Sequence, residues 1–194
     1  MTEIETVRLP HLEDYPLYVG VYKDVQNSNF LRQQLLEGNS DFEYAFLDAT
    51  VILSRNHLLA ACFRAINDML SDRLKSRNVH SEIVFSLSPN NNIAESFRRF
   101  GIADSTKHVL AVKVGTKSEI TSESVNRHLT DHVQGQSVPF SDATLRELSD
   151  VARIRKIYKA SAPPKGKANG HTESASDEEG LESFIIGTMA LKGS

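Results

Sequence analysis

The 194-residue chain has a single cysteine, Cys62, too few for an internal disulfide framework or a multi-cysteine zinc ribbon. It has no apolar run near the roughly 18–20 residues that cross a bilayer. Its first residues, Met1-Thr2-Glu3-Ile4-Glu5, lack the basic and apolar pattern of a signal or transit peptide. Together these absences predict a cytoplasmic and nuclear protein with no membrane association. Nor does one sign of charge prevail, since the formal net charge is −3. The tail from Ser161 carries five acids and three lysines, which leaves 20 acids and 19 bases in the rest. A body so close to neutral argues against general binding of a phosphate backbone and leaves room for a local basic patch.

The common signatures of catalysis are also missing. No glycine-rich loop has the G-x-x-x-x-G-K-[ST] spacing, no G-x-G-x-x-G follows a strand, and there is no G-x-S-x-G elbow. His128 and His132 stand one helical turn apart, a spacing able to hold a metal. A zinc protease needs Glu directly after the first histidine, and Leu129 is there. The pair is read as a solvated helix face, with a metal-dependent hydrolase as the rival reading and no cofactor expected. Cys62 lies on an apolar stripe and is expected to pack in the core, since a reactive thiolate needs an exposed, electropositive setting. The chain is therefore expected not to be an enzyme.

What is present fits one 40% hydrophobic, 24% charged α/β domain covering residues 1–194. Strands are predicted at 17–22, 79–87 and 109–114, the second because Ile83, Phe85 and Leu87 alternate. Asn27 or Ser28 opens a first helix that stops at Gly38, and residues 41–50 read as an irregular connection or short helix. Ser54 opens the longest helix, running to about Lys75, with Leu58, Leu59, Cys62, Phe63, Ile66, Met69 and Leu70 on one stripe. A short helix spans 93–100, with Asn92 and Glu95 as a capping box and Gly101 as its left-handed stop. Later come a helix near 122–132, an extended piece near 138–140 and helices from about Ala143, one with Val151, Ile154 and Tyr158 inward. Residues 161–180 read as a mobile acidic and Pro/Gly-rich insertion. A last helix then buries Leu181, Phe184, Ile185 and Thr188.

Three local features suggest contacts. Ser88-Pro89-Asn90-Asn91-Asn92 puts three amides at a helix start, where donors suit a phosphate or a nucleotide edge, although plain capping is the commoner use. Arg153, Arg155, Lys156 and Lys159 form a basic run that reads first as solvated surface and second as a phosphate contact. Ser174 and Ser176 precede acids in the pattern of acid-directed kinases and are candidate phosphorylation sites.

The run from Ser81 through Ser88-Pro89-Asn90-Asn91-Asn92-Ile93-Ala94-Glu95-Ser96-Phe97-Arg98-Arg99-Phe100-Gly101 to Ile102 resembles the signature of the PRPK-binding protein (TPRKB) family. Residues 22–27, 48–52 and 154–159 agree with it. That family is a subunit of the KEOPS, or EKC, complex, which makes threonylcarbamoyl-adenosine in tRNA. The resemblance implies a small mixed sheet flanked by helices (an α/β, α+β-like fold). It also implies a subunit without catalytic residues that docks on the N-terminal lobe of the complex's small atypical kinase, meets the other subunits through it, and helps hold the tRNA 3′ end. On this basis Ile93, Phe97, Arg98, Arg99 and above all Phe100 are candidates for kinase binding. Ser88, Asn90, Asn91 and Asn92, helped by Arg73, Lys75 and Arg77, are candidates for tRNA binding. A stand-alone RNA-binding module is a further rival.

Overall fold

The structure, a computed structural model, describes residues 4–161 and 173–193. Its strands are β1 (Ile4–Val7), β2 (Leu17–Lys23), β3 (Ala45–Asp48), β4 (Val109–Val114) and β5 (Gln136–Val138). They form one sheet in the order β1-β2-β4-β3. Every pairing is antiparallel. β1 covers Leu17–Gly20 of β2 and β5 covers Val21–Lys23. The helices are α1 (Ser28–Leu36), α2 (Arg55–Leu70), α3 (Val79–Leu87), α4 (Ile93–Phe100), α5 (Ser122–His132), α6 (Asp142–Leu148), α7 (Val151–Tyr158) and α8 (Glu173–Leu191). None of the described helices is long and apolar enough to cross a membrane.

β2 is apolar at nearly every position because both of its faces are covered. Successive side chains of a strand point to opposite sides. Leu17, Val19 and Val21 join Leu110, Val112 and Val114 of β4 in a cluster with α2, α3, α7 and α8. Tyr18 and Tyr22 join Phe46, Val109 and Ala111 in a second cluster with Leu31 of α1 and Val125 and Leu129 of α5. A sheet sandwiched this way reads as continuous apolar runs, without a polar alternate face.

Several expectations are corrected. Residues 79–87 form a helix, not a strand. Asn78 and Ser81 cap it reciprocally, and eight of its nine residues are buried. A helix enclosed on all sides has no polar stripe to betray its period, so its β-branched and aromatic residues mimic a strand. Within residues 41–50 lies strand β3, too short to signal itself, and β1 also went unpredicted. α2 ends at Leu70, before a left-handed Asp72 (φ 52°), rather than near Lys75. Phe63 and Leu70 lie exposed, off its buried stripe. α8 has 19 residues against 16 in α2, so α2 is not the longest helix.

The proposed mobile insertion divides. Residues 162–172 lie outside the described residues, while 173–180 are helical and belong to α8. Asp177 pairs with Arg155 at 3.1 Å and Glu178 with Arg146 at 3.1 Å, and acids near a helix start favour its dipole. The stripe buried by α8 is Leu181, Ile185 and Met189, and Lys192 just past its end is buried too. Phe184 is exposed and Thr188 only half-buried, and in α7 Val151 is exposed while Ile154 and Tyr158 face inward.

A polar chain crosses this core. His57 Nδ1 accepts a hydrogen bond from Leu53 N at 3.0 Å, which leaves its proton on Nε2 for Tyr158 Oη at 2.8 Å. Tyr158 in turn donates to the carbonyl of Leu87 at the end of α3. Complete burial lowers the His57 pKa to about 3 and keeps the ring neutral.

Candidate functional site

The residues singled out from sequence do not form one site. Phe100 is fully buried and packs on Tyr158 with ring centroids 5.9 Å apart. It therefore cannot present its side chain to a kinase, and that expectation is corrected. The reason is helix geometry: residues 93, 97 and 100 share a stripe, but only its C-terminal end reaches beneath the sheet. Ile93 (40% exposed) and Phe97 (37% exposed) remain at the surface. Arg98 and Arg99 are both paired with Glu95, whose carboxyl they hold below its ordinary pKa. Gly101 is extended (φ −73°) rather than left-handed. The chain runs straight from α4 onto the edge of β3, where Ile102 N donates to Phe46 O at 3.0 Å. Glycine is needed there because a Cβ would lie 2.7 Å from the Phe97 carbonyl oxygen.

In the asparagine turn, the side chains mostly serve the backbone. Asn90 Oδ1 accepts from Asn92 N at 3.1 Å, and Asn92 Oδ1 caps α4 by accepting from Glu95 N at 3.0 Å. Ser88 is buried, while Asn91 is exposed and lies beside Gly193 at the end of α8. The turn follows the C-terminal end of α3, whereas Lys75 and Arg77 precede its N-terminus. Nine helical residues, roughly 13 Å, separate the two. Arg73 is engaged with Asp68 at 3.4 Å.

Lys75 and Arg77 instead line a groove of about 660 Å³ between α1, α3 and α4. Leu35, Leu36, Ile93 and Phe97 supply its apolar wall, and Arg32 adds a third cation. The buried Glu82 carboxylate fixes the loop that carries the cations. It accepts hydrogen bonds from Lys75 N at 3.1 Å and from Ser76 N at 2.9 Å. Gly38 admits the guanidinium of Arg77, since a Cβ there would meet Arg77 Nη2 at 3.0 Å. Its φ of +69° also ends α1 in the left-handed form favoured by glycine. Expected kinase residues (Ile93, Phe97) and expected tRNA helpers (Lys75, Arg77) thus share one groove. Arg32 and Leu36 were missed because nothing in α1 distinguishes them from ordinary surface residues.

A different apolar surface lies on α2 and α8, which pack on each other. Phe63 and Leu70 on α2, and Phe184 and Leu191 on α8, are exposed at seven-residue intervals. Of the acids on α8, Asp177 and Glu178 are paired with Arg155 and Arg146, and Glu179 and Glu182 follow them along the helix.

The histidine pair is occupied with packing. His128 Nδ1 bonds Tyr44 Oη at 3.0 Å, and His132 Nδ1 donates to the carbonyl of His128 at 2.8 Å. Phe42 meets both rings edge-on. No group of three or more His, Cys, Asp or Glu able to hold a metal occurs among the described residues. Cys62 is buried, and desolvation pushes its thiol up to about 12. Of the basic run, Arg153 pairs with Asp48 at 3.1 Å and Arg155 with Asp177.

Comparison with known proteins follows the same direction. The model of the family described as kinase binding protein CGI-121 matches residues 22–193. The chain is similar to the EKC/KEOPS complex subunit cgi121 of Aspergillus terreus, with 56% identity over 98% of this chain and 97% of the relative. The subunit of the same name from Coccidioides immitis is 46% identical over 100% and 99%. That of Schizosaccharomyces pombe is 35% identical over 78% and 86%.

Proposed function

This chain belongs to the kinase binding protein CGI-121 family, and on that premise we propose that it is a non-catalytic adaptor of the EKC/KEOPS complex, docking on the complex's small atypical kinase and holding the single-stranded 3′ end of tRNA. The observation that carries the reading is how the exposed large apolar side chains are distributed. One set, Phe63, Leu70, Phe184 and Leu191, stands on the packed helices α2 and α8, the latter also carrying Glu179 and Glu182. A second, Leu36, Ile93 and Phe97, stands in a groove rimmed by Arg32, Lys75 and Arg77, while Phe30 and Val151 belong to neither set.

An apolar face with acids on α8 does not attract a phosphate backbone, so the α2–α8 face suits the N-terminal lobe of the kinase. A single-stranded nucleic acid end is held by stacking on apolar and aromatic faces together with cations along its backbone, which is the chemistry of the groove. Ile93 and Phe97 are therefore reassigned to the RNA end. The asparagine turn contributes Asn91 at most, since Asn90 and Asn92 are spent on the turn and the cap.

Two variants test the reading in purified full-length protein. Phe184→Glu buries an unpaired carboxylate at the kinase interface and should weaken kinase binding about 100-fold while leaving RNA binding intact. Arg77→Glu should do the reverse with a single-stranded oligoribonucleotide ending in the tRNA 3′ sequence. Kinase binding untouched by Phe184→Glu in a folded protein would remove the α2–α8 face from the assignment.

A further inference from the structure

A second pocket, of about 670 Å³, adjoins the groove and shares Glu43 and Arg77 with it. Lys113 and His80 lie on its wall. His80 Nε2 accepts a hydrogen bond from the Val114 amide at 3.0 Å, so the ring's proton sits on Nδ1. That buried Nδ1–H has no hydrogen-bond partner, and the nearest carboxylate oxygen, Glu43 Oε1, stops 4.0 Å short. Lys113 is the penultimate residue of the otherwise apolar strand β4. Its Nζ donates to the main-chain carbonyl of Glu43 and stands 4.8 Å from the Tyr44 ring centroid, both neutral partners. No carboxylate oxygen is paired with it among the described residues. A half-buried ammonium hydrogen-bonded only to a neutral carbonyl and a buried N–H without an acceptor thus line the same pocket, with Glu43 near both but bonded to neither through its carboxylate.

We propose that this pocket binds a phosphate group, seated between Lys113 Nζ and His80 Nδ1, with the Glu43 side chain turned outward. Lys117 and Arg77 on the rim add positive charge, against Asp41 and Glu43, so the lining is cationic by one charge. Glu43 is free to yield, because its side chain is 43% exposed and bonds neither donor through its carboxylate. Its position marks where an anion's oxygen is attracted, and its own charge holds the affinity for phosphate down. A phosphate of the RNA strand leaving the groove and free inorganic phosphate share this chemistry. The first source rests on the function proposed above.

The full-length protein is titrated with inorganic phosphate, and separately with a single-stranded oligoribonucleotide, while amide resonances are followed by NMR. Saturable shifts are expected at Glu43, Lys113 and Val114. Lys113→Met, which keeps the apolar stem, should weaken the responding ligand about tenfold or more, the worth of one charge-assisted hydrogen bond. Glu43→Gln should tighten it, a change that no purely structural role of these residues would cause. Response to the oligoribonucleotide alone identifies the RNA as the source, and response to inorganic phosphate alone identifies the free ion. Absence of saturable shifts with either ligand, or identical affinities in a folded Lys113→Met protein, overturns the proposal. Lys75→Glu, which alters the groove and not this pocket, reports on the groove separately, so RNA binding lost there but unchanged in Lys113→Met would reject this pocket and keep the adaptor reading.

Discussion

At the scale of single residues, burial sorts side chains that look equivalent in the sequence. Phe97 and Phe100 are both aromatic and three positions apart on an eight-residue helix, yet one is exposed and the other enclosed. Phe100→Ala is expected to cost about 3–5 kcal/mol of folding stability, and Phe97→Ala to stay within about 0.5 kcal/mol, measured by urea unfolding. Burial also dictates the response to acid. His57 and His80 have folded pKa values of about 3, far below their usual 6.5, because desolvation opposes the charged ring. Between those values the unfolded chain binds more protons than the folded one, so stability increases with pH. Acidification below pH 6.5 should therefore destabilise the protein by about 1.4 kcal/mol per pH unit for each histidine, down to the folded pKa. Urea midpoints compared at pH 7 and pH 5 check this, and an unchanged midpoint would contradict it.

At the scale of elements, α3 carries the most consequence and was the least legible. Its capping box at Asn78 and Ser81 uses a Ser at the third position, where the familiar pattern has Glu or Gln, so the start signal was faint. The capping box of α5 at Thr121 also uses a Ser at the third position, yet α5 and α6 were legible because each is a partly polar helix with one buried stripe. Glu82 illustrates what enclosure does to a charge. Fully buried, it is satisfied by two backbone N–H groups and the Ser76 hydroxyl, and so it organises the loop that presents Lys75 and Arg77. Glu82→Ala should destabilise the protein by about 2–4 kcal/mol through the orphaned donors. RNA affinity should fall as well, read by oligonucleotide titration under conditions where the variant is folded. Unaltered RNA affinity would separate the loop from the groove's function.

At the scale of the whole molecule, a sheet covered on both faces divides the chain into two cores and spreads the remaining apolar side chains over distinct outer surfaces. The α2–α8 face and the cationic groove share no lining residue, so their energetics should be independent. The double variant Phe184→Glu/Arg77→Glu should show kinase-binding and RNA-binding losses equal to those of the single variants within about 0.5 kcal/mol. Calorimetric titration of each partner against the four proteins tests this, and a coupling well above that margin would mean that the two surfaces meet in the complex.

Local pattern or a contiguous signature was enough for the apolar strands at 17–22 and 109–114, the cap of α2 at Ser54, the packed cysteine and the family. Three-dimensional packing alone makes 79–87 a helix and Phe100 core, and it alone sets Lys75 and Arg77 beside Ile93 and Phe97 with the asparagine turn apart. Those facts depend on which neighbours close over a segment. A side chain's burial is a property of the layers above and below it, and its own neighbours in the chain carry no record of them.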